Sequence, residues 1–515
     1  MTAPGQTRRG GRRGAAAAAA KGPKRRVDYR TLRNPFPPVP LFSEDRIAVM
    51  HETALHVLEE LGIKVLLPQA RAIFKAGGAR VDEDSEMVFI GRDIVMAAVG
   101  SAPKSFVLKG GDEGRDLTME LGALTIQAGA GAPHATDLVR GRRPGSLRDF
   151  SEFTRLVQYF DVLHLQGPAV EPQDIPIHER HYATAHAVLS QSDKVPFVFS
   201  RGTPQVTEGF EMIRDFRGLS DADFAAQSWC YTIINTNSPR QIDIPMGQGI
   251  IDFARAGQAA VITPFCLMGA MAPVTVVGAV VLSHAEALAA ITLSQLSRHG
   301  APVLYGAFAS NVDMKSGAPA FGTPEQVKAS LACGQLARML GLPWRNAAGC
   351  AANINDAQAA HETQMSAWGA MLSGCTMLIH GAGWIEGGLT VSYEKLITDI
   401  DMLQSLAELC LPTPADDAAM ALDALKEVQP GGHFFGCAHT MERFDTAFYE
   451  PVSYDWSNIG TWAENGSLDA NTRATAIWQD ILEGPPNFTP DADKVDALQA
   501  YAAKRIEQGG APPES

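Results

Sequence analysis

The chain has 515 residues, 46% hydrophobic and 19% charged, with a formal net charge of −14. These values describe an ordinary globular protein: they exclude wholesale disorder, the acidic balance argues against nucleic acid as the main partner, and no uncharged run of about 18 apolar residues predicts a membrane span. Seven cysteines at 230, 266, 333, 350, 375, 410 and 437 show no CxxC spacing, which fits free thiols in a reducing, cytoplasmic setting.

The first thirty residues carry nine Arg or Lys against one acid, with a run of six alanines. That composition builds neither a core nor a secretory signal, and residues 1–30 read as a disordered basic tail. Without them the body is near −22, a balance that suits a cationic substrate or simple solubility. Residues 31–118 form an N-terminal α+β segment. A proline-rich lead reaches Ser43, a predicted N-cap, and an amphipathic helix follows. "LPQARAIFKAGGARV" reads as a second helix ending at a glycine pair.

From residue 119 to 410 a rhythm takes over. Eight short apolar runs, roughly 30 to 43 residues apart, each end in Gly, Pro, Asn or Asp and lead into helical periodicity. They are "ALTIQAGAGAPH", "VLHLQGPAVEP", "VPFVFSRGTP", "SWCYTIINTNSP", "AAVITPFCLMGAMAP", "PVLYGAFASNVD", "PWRNAAGCAANIND" and "CTMLIHGAGW". Continuous rather than alternating apolar runs mark parallel strands covered by helices. The expected fold class is α/β, a (β/α)8 TIM barrel. A doubly wound sheet competes, but "GAGAPHAT" is not the GxGxxG that such a sheet usually carries. Residues 411–515, loop-rich and aromatic and then helical, are expected to cap the barrel.

Barrel active sites form where strands end. The strand-end residues here include His134, Glu171, Arg201, Asn235, Asn237, Cys266, Met268, Tyr305, Asp313, Cys350, Asn353, His380, Trp384 and Glu386. No nucleophile elbow, HExxH or P-loop is present. His178 and His181 fall at i, i+3 with His186 off their face, a poor zinc set. Cys350 reads as a small buried thiol. Trp384 followed by Glu386 on a glycine-rich turn offers an aromatic face and a carboxylate to a quaternary ammonium. Packing by Trp384 and helix capping by Glu386 are the alternative.

Several long blocks resemble the trimethylamine methyltransferase (MttB-like) superfamily: "GAMAPVTVVGAVVLSHAEALAAITLSQL", "GAPVLYGAFASNVDMKSGAPAFGTPE", "LARMLGLP", "DAQAAHE", "HGAGWIEGGLTVSYEKLITD" and "GGHFFGCAHTMERF". The resemblance spans roughly residues 40–490 and implies a TIM barrel that moves a methyl group from a methylated amine to the cobalt(I) of a corrinoid carried on a separate protein. It therefore implies no tightly bound cofactor and no metal site in this chain. The expected partners are a small methylated amine and a corrinoid protein, with no membrane; a homo-oligomer is also expected.

The departures from the family are specific. The pyrrolysine position of the trimethylamine enzymes falls on Gly349. Cys350, Ala351 and Asn353 replace the Ser, Asp and Lys that follow it there, whereas Asp356, Gln358 and Ala359 keep the family's Asp-x-Gln-Ala. His380 stands where the pyrrolysine enzymes have Tyr. A member without pyrrolysine is expected to prefer a quaternary amine such as glycine betaine, whose leaving group departs neutral. On that reading Glu386, Asn353 and His380 are the expected catalytic residues. Trp384, Tyr305, Asn237, Arg201, Gly349 and Gln358 are expected to bind substrate. Trp384 and Glu386 would hold the cation; Asn353, His380 and Tyr305, helped by Asn237 or Arg201, would orient the polar end. The competing class is a non-catalytic barrel that binds betaine-like ligands.

Overall fold

A computed structural model describes residues 27–513, so nearly all of the basic tail lies outside the described residues. The chain groups into two units, Arg30–Cys410 with Val452–Ser515, and Leu411–Pro451 with the residues before Arg30. The stretch expected as one C-terminal cap is thus divided at Pro451.

In the larger unit, helix α1 (Glu44–His56) starts at Ser43, which is extended as an N-cap should be but accepts no capping bond. Glu44 and Asp45 in its first turn suit the positive helix end. Beyond residue 120 strands and helices alternate. The strands are β1 (Ala123–Ile126), β2 (Tyr231–Ile234), β3 (Ala259–Ile262), β4 (Val303–Gly306), β5 (Trp344–Ala347) and β6 (Met377–Ile379). The helices are α2 (Leu147–Tyr159), α3 (Arg180–Gln191), α4 (Thr203–Arg217), α5 (Ile244–Ala256), α6 (Val276–Ser297), α7 (Pro324–Leu340), α8 (Ala357–Leu372) and α9 (Tyr393–Leu409).

Pairing is parallel throughout β2–β3–β4–β5–β6–β1. The second and third predicted strands appear only as isolated parallel bridges, Gln127 with Leu165, Leu165 with Val195, and Phe197 with Tyr231. Local chemistry explains why they form no regular ladder. His164 takes the Ile126 N–H on its ring Nδ1 (2.9 Å) instead of on a backbone carbonyl, and Pro196 has no N–H to give.

Leu165, Val195, Tyr231, Val261, Leu304, Met377 and Ile379 share one buried cluster with Leu108, Leu117 and Met119. The last three belong to the antiparallel pair Ser105–Leu108 and Leu117–Glu120. The N-terminal segment therefore closes the end of the sheet where the strands begin. The opposite end, where strands run out into loops, is left for chemistry.

Helix α6 is long and apolar enough to cross a membrane by length and composition, but it is mostly buried. It packs on α1, α5, α7 and the helix Arg92–Ser101, and a helix wrapped on every side is apolar on every side. Its two buried titratable groups are both bonded: His284 bonds His51 and Tyr305 (2.9 Å each), and Glu286 accepts from Ser238 and from the Arg240 N–H (2.7 and 2.8 Å).

Candidate functional site

Two small sheets continue the strands past their ends. Phe265–Met268 pairs in parallel with Phe308–Val312, which pairs with Pro319–Ala320. Trp384–Ile385 pairs with Thr390–Ser392, which lies beside His134–Thr136. Together they hold four rings in one cluster. After β6 the chain turns at His380, whose φ of 59° is unusual for a residue with a side chain. That turn lays the imidazole on Trp384, centroids 4.1 Å apart and 7° from parallel. Phe308 and Phe321 stack at 5.3 Å, and Phe321 lies 5.6 Å from Trp384. Phe308 is 5.8 Å from His380. The glycine-rich turn has a physical role here: a Cβ at Gly388 would come within 2.1 Å of the Trp384 ring.

Beside this cluster lies Arg345 of β5, 1% exposed. Its Cζ is 5.3 Å from the Phe308 centroid, and its Nη1 donates only a long 3.4 Å bond to the Ala307 carbonyl. No salt bridge to it exists among the described residues, and its Nε has no partner. Burial pushes the guanidinium down to about 9, so it is still charged at neutral pH. Gln127 Nε2 and Trp384 Nε1 are also among the buried N–H donors without a partner. Gln127 spends its oxygen on the Tyr231 hydroxyl (2.7 Å). Leaving a buried donor unpaired costs about 1–3 kcal/mol, and an arginine without a counter-ion costs more. His380 Nδ1 accepts from the Ala130 N–H (3.3 Å), which requires the neutral ring. Burial, and then Arg345, hold its pKa well below the usual histidine value.

The sequence-predicted residues divide. Trp384, His380 and Gly349 come together. Glu386 lies beside them, but both its oxygens accept from Arg142 Nε at 3.0 Å and Oε2 also accepts from Thr390 (2.7 Å). Burial pushes its carboxyl up, but the Arg142 and Thr390 bonds outweigh that and hold it below the ordinary range. The carboxylate is thus paired and ties two loops together rather than standing free for a cation. Tyr305 is also corrected. Leu304 faces the core, so alternation turns Tyr305 outward to His284, fully buried.

Asn353 is exposed on the turn leading into α8 and Gln358 is exposed in its first turn, where it bonds Glu362 (2.7 Å) on the same helix. Asn237 is exposed and exchanges bonds with Asp243 (3.0 and 3.1 Å). Arg201 pairs with Glu171 (3.1 Å). None of these four is brought to the ring cluster. Cys350 is buried, and burial pushes its thiol up to about 12, which rules it out as a ready nucleophile. His181 is bonded to Glu208 (2.9 Å), and among the described residues no group of three His, Cys, Asp or Glu could hold a metal.

Arg345, Phe308, Phe321 and Gln127 were not singled out from the sequence. The one available signal was an arginine inside "PWRNA", a strand read as buried on both faces.

Gly349 is a second tight point of the site. A Cβ there would lie 2.8 Å from the Phe321 ring, so Phe321 fills the space that a side chain at 349 would need. Gly349→Ala is expected to lower stability by about 1–3 kcal/mol through overpacking. Adding Phe321→Leu should make the double variant less destabilised than the sum of the two single changes. Thermal unfolding of the four proteins checks this; strict additivity would show that the ring and residue 349 do not compete for space.

Comparison with known proteins adds three findings. The family model described as trimethylamine methyltransferase (MTTB) matches residues 8–510. A glycine betaine methyltransferase from Desulfitobacterium hafniense strain Y51 is 32% identical over 474 residues, covering 91% of this chain and 98% of the relative. A trimethylamine methyltransferase MttB from D. hafniense strain DSM 10664 / DCB-2 is 30% identical over 454 residues, covering 87% and 90%. Among solved structures, the Methanosarcina barkeri monomethylamine methyltransferase (MtmB) aligns with a TM-score of 0.49 and 9% identity over 92% of this chain and 89% of that one.

Proposed function

The chain belongs to the trimethylamine methyltransferase (MTTB) family and is a methyltransferase, and we propose that its methyl donor is a zwitterionic quaternary amine of the glycine betaine type. The methyl acceptor in this proposal is the corrinoid of a separate carrier protein. We read the scaffold as a (β/α)8 barrel, its circuit of parallel strands completed by the bridges through Leu165 and Val195.

One observation carries the substrate reading: a buried, charged Arg345 without a carboxylate stands against a cluster of aromatic rings. A trimethylammonium group suits aromatic faces, worth about 0.5–2 kcal/mol. A carboxylate at the other end of the same small molecule suits Arg345 and the neighbouring orphan donors. Trimethylamine offers no such anion and would leave the arginine uncompensated.

The docked corrinoid supplies the nucleophilic metal centre. The residues of this chain bind and orient the ammonium, present one methyl carbon and exclude water. When the C–N bond of a quaternary ammonium breaks, the amine leaves neutral, so no general acid is required. Gly349, at the position of the family's special residue, is consistent with that economy.

The test follows methyl transfer to the carrier, or to free reduced cobalamin, by absorbance. Glycine betaine, carnitine, proline betaine, choline and trimethylamine form the panel. Betaines should be the best substrates and trimethylamine nearly inert. Trp384→Ala should weaken betaine use about 2- to 30-fold, the range of one aromatic contact, whereas Glu386→Gln should change it little because Arg142 already neutralises that carboxylate. Trimethylamine as best substrate would sink the proposal. Betaine binding without transfer under any corrinoid supply would favour the non-catalytic barrel.

A further inference from the structure

We propose that Phe321 sets the size of the nitrogen substituents that the site accepts, a specificity role that rests on the proposed function. Phe321 is buried. Its ring stacks on Phe308 (5.3 Å) and meets Trp384 at 5.6 Å, two of the faces proposed to receive the ammonium. Arg345, proposed to receive the carboxylate, stands over Phe308 at 5.3 Å. On that reading Phe321 borders the end of the ligand that carries the methyl groups.

The ring fills space that a side chain at Gly349 would otherwise take. A Cβ at Gly349 would lie 2.8 Å from Phe321 Cγ and Cδ1 and 3.0 Å from its Cβ. Those atoms are the root of the side chain, not its tip, so the ring does not swing clear by a small torsion. One side chain fits there, from 321 or from 349, and this chain supplies it from 321.

The backbone under the ring is pinned on both sides. Ala320 pairs with Asn311 in the antiparallel hairpin. Gly322 has a φ of 68°, and a Cβ there would come within 2.4 Å of the Glu362 Cα in α8. The Gly322 N–H donates to Gln326 Oε1 (2.7 Å), and Gln326 Nε2 donates to the Ala347 carbonyl at the end of β5 (3.3 Å). That one amide ties the segment of Phe321 to the strand that leads into Gly349. A close-packed wall held in this way does not yield to a larger substituent, and a methylene more or less in an apolar pocket changes kcat/KM by about 10- to 200-fold.

The test measures methyl transfer to reduced cobalamin from glycine betaine and from N-butyl-N,N-dimethylglycine. Both carry the same carboxylate and transferable methyl groups and differ in bulk at nitrogen. The unmodified protein should prefer glycine betaine. In Phe321→Ala the ratio of the two kcat/KM values should move toward the butyl compound by at least about 10-fold, through a lower KM for it. Phe321→Ala/Gly349→Leu, which refills the space from the other side, should move the ratio back. A ring with a structural role only would lower the use of both compounds alike. An unchanged ratio in Phe321→Ala, a ratio that stays shifted after refilling, or equal use of both compounds by the unmodified protein overturns the proposal. If Phe321→Ala does not fold, Phe321→Leu with N-ethyl-N,N-dimethylglycine reads the same preference on a smaller hole. Should the unmodified protein use no quaternary amine at all, the proposed function fails and takes this assignment with it; turnover of glycine betaine with an unchanged ratio sinks the assignment alone.

Discussion

Arg345→Met is expected to lower kcat/KM for glycine betaine by about 30- to 5000-fold, the range for truncating one partner of a buried charge pair at roughly 2–5 kcal/mol. Methionine keeps much of the volume and removes the charge. Arg345 is fully buried, has no carboxylate partner among the described residues and leaves its Nε unbonded. Tetramethylammonium and choline lack a carboxylate, so their use should fall far less.

A second readout separates ligand binding from structure. In the free protein an uncompensated buried charge is a burden, and replacing it with an apolar side chain of similar size is neutral or stabilising. The melting temperature of Arg345→Met should therefore hold or rise. An equal loss for all substrates together with a lower melting temperature would show that Arg345 serves the fold and not the ligand.

Lys395→Met should have the largest effect on stability, a loss of about 3–5 kcal/mol. Lys395 is fully buried, forms an i, i+4 ion pair with Asp399 in α9 and donates to Thr363 (2.8 Å). Burial raises the Asp399 carboxyl, and Lys395 opposes that rise. Asp399 in turn accepts the Gly383 N–H (2.9 Å), in the turn that carries Trp384. Removing the lysine strands the carboxylate and raises its folded pKa further. A group whose folded pKa lies above its unfolded value contributes stability below the unfolded pKa and loses it as pH rises through the folded one. The deficit of the variant should therefore be larger at pH 8 than at pH 5. Denaturation at the two pH values measures it, and Lys395→Met/Asp399→Asn should recover part of the loss. A deficit that does not change with pH would mean that lost packing, not the stranded charge, is the cause.

The sequence by itself determined the alternation of apolar runs and helices from residue 119 to 410, the family, and the turn after β6 as the place of Trp384 and His380. Those signals are local: periodicity, glycine stops and ordered motifs follow from how one segment packs against any neighbour. It also gave Gly349 as the expected counterpart of the pyrrolysine position. What it left undecided was the company each side chain keeps. Tyr305 stands at a strand end like the true site residues, and only the register that turns Leu304 inward sends its hydroxyl to His284. Glu386 reads as a free carboxylate until the hairpin carrying Arg142, 244 residues earlier, is folded against it. Phe308 and Phe321 share the hairpin between β4 and α7 whereas Arg345 comes from β5, and nothing in those segments says that the three meet. Pairings of that kind depend on strand register and on which face of each strand is buried, and those are settled only when the strands have paired around their core.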